Sequence, residues 1–164
     1  MNNPPEEPAL AFQVHDHSHC CGDLLKQADD IAAARGLRLT PVRRRALEIL
    51  LEQHRAIGAY EVLDRLAQDG FGNKPPVAYR ALDFLVEQGL VHKVARLNAF
   101  MACTHPGRLH NPAVLICRGC QTVAEAPAGS INAAVTGAAT EAGFAVESTT
   151  VEIIGLCPTC QGAA

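Results

Sequence analysis

The sequence predicts an α+β chain in two parts: a run of helices closed by a short hairpin, then a small αβ unit stapled by metal. Three observations carry that prediction. Apolar residues recur at helical spacing from about residue 23 to 89, and the period then changes to that of strands. Pro and Gly punctuate each change. Two Cys-x-x-Cys pairs, Cys117/Cys120 and Cys157/Cys160, stand where apolar segments stop.

The first helix is expected from an Asp23 cap to Arg35, with Leu24, Leu25, Ala28, Ile31 and Ala32 on one face and Gly36 at its stop. Thr40-Pro41 restarts the helix, because Thr suits the N-cap and Pro the first turn. Val42, Ala46, Ile49 and Leu50 follow at helical spacing. A third helix spans about Ala59 to Gln68, with Val62, Leu63 and Leu66 inward. Lys74-Pro75-Pro76 opens a fourth, whose stripe Ala78, Ala81, Leu82, Leu85 and Val86 leaves Tyr79, Arg80 and Asp83 on the other side until Gly89 ends it. Leu90–Val94 and Ala99–Cys103 then read as two strands joined through Arg96-Leu97-Asn98. Helices followed by a two-stranded ribbon make a winged helix-turn-helix, with the fourth helix as the groove-entering element and Lys93 and Arg96 of the wing along phosphates.

From Pro112 the chain reads as a separate αβ unit. Strands are expected at about 113–117 and 121–125, an Ala-rich helix from a Ser130 cap to about Ala142, and a last strand from Phe144 to Leu156. Three strands and one Ala-rich helix have little apolar bulk, so this unit needs a metal and a second subunit to complete its core. A homodimer is expected. The working division is a disordered His/Cys-containing tail at 1–22, a winged-helix domain at 23–97, a hinge at 98–111 and a dimerisation domain at 112–164.

Composition narrows the partners. No run approaches 18 apolar residues, and Met-Asn-Asn-Pro-Pro-Glu-Glu-Pro lacks the basic and apolar regions of a secretion signal, which points to the cytoplasm, where thiols stay reduced. Only 4% of residues are aromatic and none is Trp, which argues against a base-stacking single-strand binder. The net charge of -3 conceals a basic middle: residues 23–96 hold 12 of the 14 Lys and Arg against 10 acidic residues. Arg43-Arg44-Arg45 concentrates that charge in one turn and suggests a phosphate-contacting patch. A solvated mixed surface would look similar.

Four thiolates suit a tetrahedral zinc with no open position, hence a structural rather than a catalytic ion. Two disulfides or a redox pair are the alternative reading of the same cysteines. A second constellation spans the junction of the two halves: His92 on the first wing strand, Cys103 at the end of the second, His110 in a Pro- and Gly-containing loop, and Glu125 after the first knuckle. Two imidazoles, a thiolate and a carboxylate match a tetrahedral zinc, and ligands on a hinge make occupancy a conformational variable. Each residue also has an ordinary role open to it, as surface histidine, buried thiol or solvated acid. A third group, His15, His17, His19, Cys20 and Cys21, offers candidate ligands for a further, weaker site or belongs simply to a polar tail.

Arg38-Leu39-Thr40-Pro41-Val42-Arg43, the run from Lys74 to Leu85, Gly89-Leu90-Val91-His92-Lys93-Val94 and the two knuckles together resemble the Fur family of metal-sensing repressors, in particular its zinc-uptake (Zur) branch. The resemblance covers about residues 23 to 160. It implies a zinc-responsive repressor of zinc-uptake genes that binds palindromic double-stranded DNA as a zinc-loaded homodimer, with no membrane partner and no enzymatic activity. It further implies structural zinc on Cys117, Cys120, Cys157 and Cys160, regulatory zinc on His92, Cys103, His110 and Glu125, and DNA contacts from Tyr60 and Arg80 with Tyr79 beside the backbone; Arg43, Arg44 and Lys74 join these as phosphate candidates.

Two departures stand out. Val77-Ala78 replaces the Thr-Val that often precedes the Tyr-Arg pair. The dense His-His-Asp-His cluster of iron-type members is reduced to His105 and His110 with Cys103 nearby, which shifts the expected metal toward zinc. The rival readings are a family member sensing iron, manganese, nickel or peroxide, and a zinc enzyme such as a deaminase. The latter needs a His-x-Glu, which the sequence lacks.

Overall fold

Four helices build the first layer: α1 (His17–Ala34), α2 (Pro41–Leu51), α3 (Ala59–Gln68) and α4 (Pro75–Glu87). The structure, a computed structural model, describes residues 10–12, 17–107 and 110–162. Helix α1 starts six residues before the expected Asp23 cap, so residues 17–22, assigned to a tail, are helical instead. Tertiary contact explains the extension. Cys21 packs on the core, and its Sγ lies 3.1 Å from the Leu51 carbonyl oxygen at the end of α2.

Apolar stripes from all four helices meet around Ile49, Leu50, Val62, Leu66, Leu82 and Leu85, all essentially solvent-free. The stripe of α4 differs from expectation by one position. Val86 is exposed, and Phe84 is buried because the Arg43 guanidinium stacks 3.6 Å from the centre of its ring and covers it. Helix α4 ends at Gly89, whose φ of 70° turns the chain while Leu90 N–H returns to the Leu85 carbonyl at 2.9 Å. Val91 enters the next strand at once.

The wing is β1 (Val91–Val94) antiparallel to β2 (Ala99–Ala102), with a short 3-10 turn at Ala95–Leu97 between them. Strand β2 thus lies within the stretch 98–111 assigned to the hinge. Ile57 exchanges two backbone hydrogen bonds with Phe100, at 2.8 and 2.9 Å, and so gives the wing a third edge that no sequence signal announced.

The second unit is a sheet of order β4-β3-β5, with β3 (Ala113–Cys117) antiparallel to β4 (Val123–Ala126) and parallel to β5 (Val151–Gly155). The expected strand 144–156 is shortened to β5, because β3 offers only five residues to pair with. Helix α5 (Gly129–Glu141) crosses between β4 and β5. Its N-cap is Ala128, two residues ahead of the expected Ser130, and no side-chain cap bond forms. A short α6 (Pro158–Gln161) follows Cys157 and was not anticipated. Helix α5 buries none of its residues, and Ile131, Val135, Phe144, Ile153 and Ile154 are exposed in this unit.

A small second core joins the two units. Val94 and Met101 of the wing pack on Val114, Ile116 and Val123 of the sheet. Beside it, Val123 N–H donates to the His54 carbonyl at 2.9 Å, and Arg55 bridges to Thr122. Among the described residues no helix is long and apolar enough to cross a membrane.

Candidate metal centres and nucleic-acid face

Strand ends deliver the four-cysteine cluster. Cys117 closes β3 and Cys157 caps α6, while the intervening turn Arg118-Gly119 and the left-handed Gln121 fold Cys120 back toward them. The four sulfurs lie within 4.8 Å of one another, with Cys120 Sγ 3.7 Å from Cys157 Sγ. All four cysteines are free thiols. Close approach at Gly119 makes the geometry possible: a Cβ there would meet Cys160 Sγ at 3.0 Å.

The sulfurs are also set up electrostatically. Backbone N–H groups of Cys120 and then Cys157 hold the Cys117 thiol down at about 6, the latter at 3.3 Å. The Thr122 hydroxyl, 3.1 Å from Cys120 Sγ, lowers that thiol too. Cys160 is pushed up to about 12 by the three thiols around it. A cluster that lowers the Cys117 and Cys120 thiols and raises that of Cys160 holds a proton that a cation can displace. The donor set is soft, four-fold and closed, which is the chemistry of structural zinc.

The second cluster assembles across the junction. His92 comes from β1, Cys103 directly follows β2 with its N–H bonded to the Leu90 carbonyl at 2.9 Å, His110 sits in the connecting loop, and Glu125 lies on β4. Their donor atoms lie within 4.8 Å of one another. His110 Nε2 is 3.5 Å from Cys103 Sγ and 3.1 Å from Glu125 Oε2. Thr104 N–H donates to Glu125 Oε1 at 2.9 Å.

Two features of this cluster fit a cation. Glu125 is the one buried charged residue among those described; burial alone would raise its carboxyl, yet His92, the Thr104 N–H and His110 hold it at about 2, so it is an anion. His92 Nε2 is fully buried and stands 3.1 Å from Glu125 Oε1, a charge contact that leaves this nitrogen without a regular hydrogen bond. An orphaned buried nitrogen is costly unless something else uses its lone pair. Burial and the Glu125 charge push the Cys103 thiol strongly up, so this ligand is a neutral thiol until a cation displaces its proton. His105, exposed, brings Nδ1 to 3.8 Å from Glu125 Oε2 at the rim.

The expected nucleic-acid residues divide into two groups. Tyr60 and Tyr79 are 65% and 41% exposed and meet edge to face with ring centres 6.5 Å apart. Arg43, Lys74 and Arg80 line one open groove of about 810 Å³ between α2 and α4. Among the described residues Lys74 and Arg80 take part in no ion pair. Arg43 and Arg44 are already engaged. Arg43 stacks on Phe84 and donates to the Arg38 carbonyl, while Arg44 pairs with Asp29 and Glu48. Arg45 is tied to Asp69, Glu48 and Glu52. The basic turn is therefore largely neutralised within its own domain.

In the third proposed group only Cys21 lies fully within the described residues; His15 and the side chains of His17, His19 and Cys20 lie outside them. Sequence reading also passed over Glu152 of β5. Its carboxylate accepts from Ala95 N–H at 2.6 Å and Arg96 N–H at 3.0 Å in the wing turn. A lone acidic residue in a strand carries no sequence signal for such a role.

Residues 34–154 match the ferric uptake regulator family. The chain belongs to that family. It is 41% identical over 139 residues to the zinc uptake regulation protein of Escherichia coli K12, covering 84% of this chain and 81% of the relative. Identity to the zinc uptake regulation protein of Mycobacterium tuberculosis H37Rv is 30% over 133 residues, 79% of this chain and 98% of the relative. Among solved structures, a zinc uptake regulator complexed with zinc and DNA aligns with a TM-score of 0.83 at 40% identity, covering 87% of this chain and 96% of that one. Holo XcZur aligns at 0.79 and apo XcZur at 0.51, with nearly equal identities of 36% and 35% and the same coverage, 87% of this chain and 99% of each of those. At nearly equal identity, this ferric uptake regulator chain thus superposes better on holo XcZur than on apo XcZur.

Proposed function

We propose that this chain is a zinc-responsive, DNA-binding repressor of zinc-uptake genes, a cytoplasmic regulator rather than an enzyme, which binds palindromic DNA as a homodimer. The observation that carries the reading is the His92, Cys103, His110 and Glu125 cluster between wing and sheet, in a chain that superposes better on holo XcZur than on apo XcZur. The kinship to zinc uptake regulators and the likeness to one complexed with zinc and DNA support the same assignment.

One zinc per subunit belongs to Cys117, Cys120, Cys157 and Cys160, where it holds the small αβ unit together. A second, exchangeable zinc belongs to the junction cluster; when bound it supplies positive charge and a demand for four-coordinate geometry. His92 and Cys103 then answer from the wing side, Glu125 from the sheet, and His110 from the loop between them. Bringing these four side chains together fixes the wing on the sheet. The exposed Ile131, Val135, Phe144, Ile153 and Ile154 supply apolar surface for a second subunit, so the two winged helices acquire a set spacing. Arg80 then reads guanine in the major groove, with Tyr60, Tyr79 and Lys74 on the backbone. If each site prefers the closed arrangement about 100-fold, two sites supply about 5 kcal/mol, enough for a nearly complete population shift.

Metal analysis of the purified protein combined with operator binding across zinc, ferrous iron, manganese and nickel tests this reading. Two zinc ions per subunit and a response at the lowest free concentration to zinc support it. A response led by another metal assigns the chain to a different sensor within the family.

A further inference from the structure

Glu125 and Glu152 occupy one row of the β4-β3-β5 sheet, since both are register partners of Val114. Strands lie about 4.8 Å apart, so the two carboxylates rise roughly 10 Å apart from the same face, flanking Val114. That face also presents Ile116 and Val123 to Val94 and Met101 of the wing. The wing therefore sits on an apolar strip with an acid at either side. Glu125 holds the Thr104 N–H, just beyond β2. Glu152 holds the N–H groups of Ala95 and Arg96, just beyond β1.

We infer that Glu152 is a positioning residue for DNA binding: a clamp, built without metal, that carries closure at the junction cluster to the tip of the wing. Ala95 and Arg96 begin the 3-10 turn at the far end of β1 from Gly89, and the last register pair of the hairpin is Val94 with Ala99. Their amides consequently have no partner within the ribbon other than what the sheet provides. Fixing both amides fixes the orientation of the turn that bears Arg96 and follows Lys93, the two exposed cations expected along phosphates. Without the clamp the ribbon keeps its attachment beside Glu125 and its apolar seat on the sheet, while the turn at its tip is released. The inference rests on the functional reading above, because a clamp on the wing matters only if the wing meets DNA.

The test compares wild type with Glu152→Ala and Glu152→Gln as full-length dimers. Two quantities are read: the free zinc concentration at half-maximal operator binding, and the amide hydrogen exchange of Ala95 and Arg96 in the zinc-loaded protein. Loss of two hydrogen bonds to a carboxylate raises the zinc midpoint about tenfold in Glu152→Ala, with Glu152→Gln between it and wild type because its amide oxygen still accepts. The two amides exchange more than about tenfold faster in Glu152→Ala, while dimer mass and the zinc of the four-cysteine cluster are unchanged. A generally misfolded Glu152→Ala leaves Glu152→Gln to decide. Midpoints within twofold of wild type, or amides that exchange as fast in wild type as in the variants, overturn the clamp. Operator binding by wild type that ignores zinc overturns the functional reading instead, and the exchange measurement then still decides whether the clamp exists.

Discussion

His92 and Glu125 face each other at 3.1 Å across the junction of wing and sheet, the one with a buried nitrogen that makes no regular hydrogen bond and the other with a buried charge. Such a pair is tolerable without a cation and is completed by one. His92→Ala and Cys103→Ala should therefore leave a folded dimer with its four-cysteine zinc while abolishing the zinc response, lowering operator affinity at micromolar zinc by about 100-fold or more. Circular dichroism, metal content and anisotropy on labelled operator measure the three quantities.

Removal of a cysteine from the other cluster should act on the fold. Cys117→Ser should lose one zinc per subunit and unfold the αβ unit, because that unit has little apolar core of its own. Gly119→Ala should weaken the same cluster, since its new methyl group would stand 3.0 Å from Cys160 Sγ. A lowered melting temperature and faster zinc loss to a chelator are the expected readouts, with His92→Ala showing neither.

The pH dependence follows from Cys103. Its thiol is pushed far above its ordinary value, so it is protonated in the metal-free protein at neutral pH and must give up that proton on binding zinc. The sign is then fixed: affinity at the junction rises with pH, by about tenfold per pH unit for one released proton. Titrations in buffers of different ionisation enthalpy count that proton, and Cys103→Ser should remove it from the count.

Among the cations, Arg80 and Lys74 should behave differently from Arg44. Arg80→Ala should cost about 1–3 kcal/mol of operator binding and relax base preference at one position. Lys74→Ala should weaken specific and nonspecific DNA alike and flatten the salt dependence. Arg44→Ala should change DNA binding little, because Asp29 and Glu48 already answer its charge. Salt-dependent binding curves on specific and scrambled duplexes separate the three.

Legibility in the sequence followed locality. Helices α2, α3 and α4 were readable because Thr40-Pro41, Asp69-Gly70 and Lys74-Pro75-Pro76 punctuate strong apolar periods. The cysteine pairs and the four junction residues could be named because Cys and His are rare and chemically distinctive. What escaped depended on contacts between distant segments. The early start of α1 rests on Cys21 against α2, the third edge of the wing on Ile57 against Phe100, and the shortness of β5 on the length of β3. Glu152 escaped for the same reason, since its partners are backbone amides more than fifty residues away. Charge alone could not rank the cations of Arg43-Arg44-Arg45, because stacking on Phe84 and pairing with four acids distinguish them from Lys74 and Arg80 only in the folded chain.

The central claim is that an exchangeable ion at the junction cluster decides whether the dimer grips DNA. The direct measurement is operator affinity of one preparation before and after a chelator removes the labile zinc while the four-cysteine zinc stays bound. The account predicts a loss of about 100-fold or more, restored by adding zinc back and absent in His92→Ala. Equal affinity in both states would contradict it.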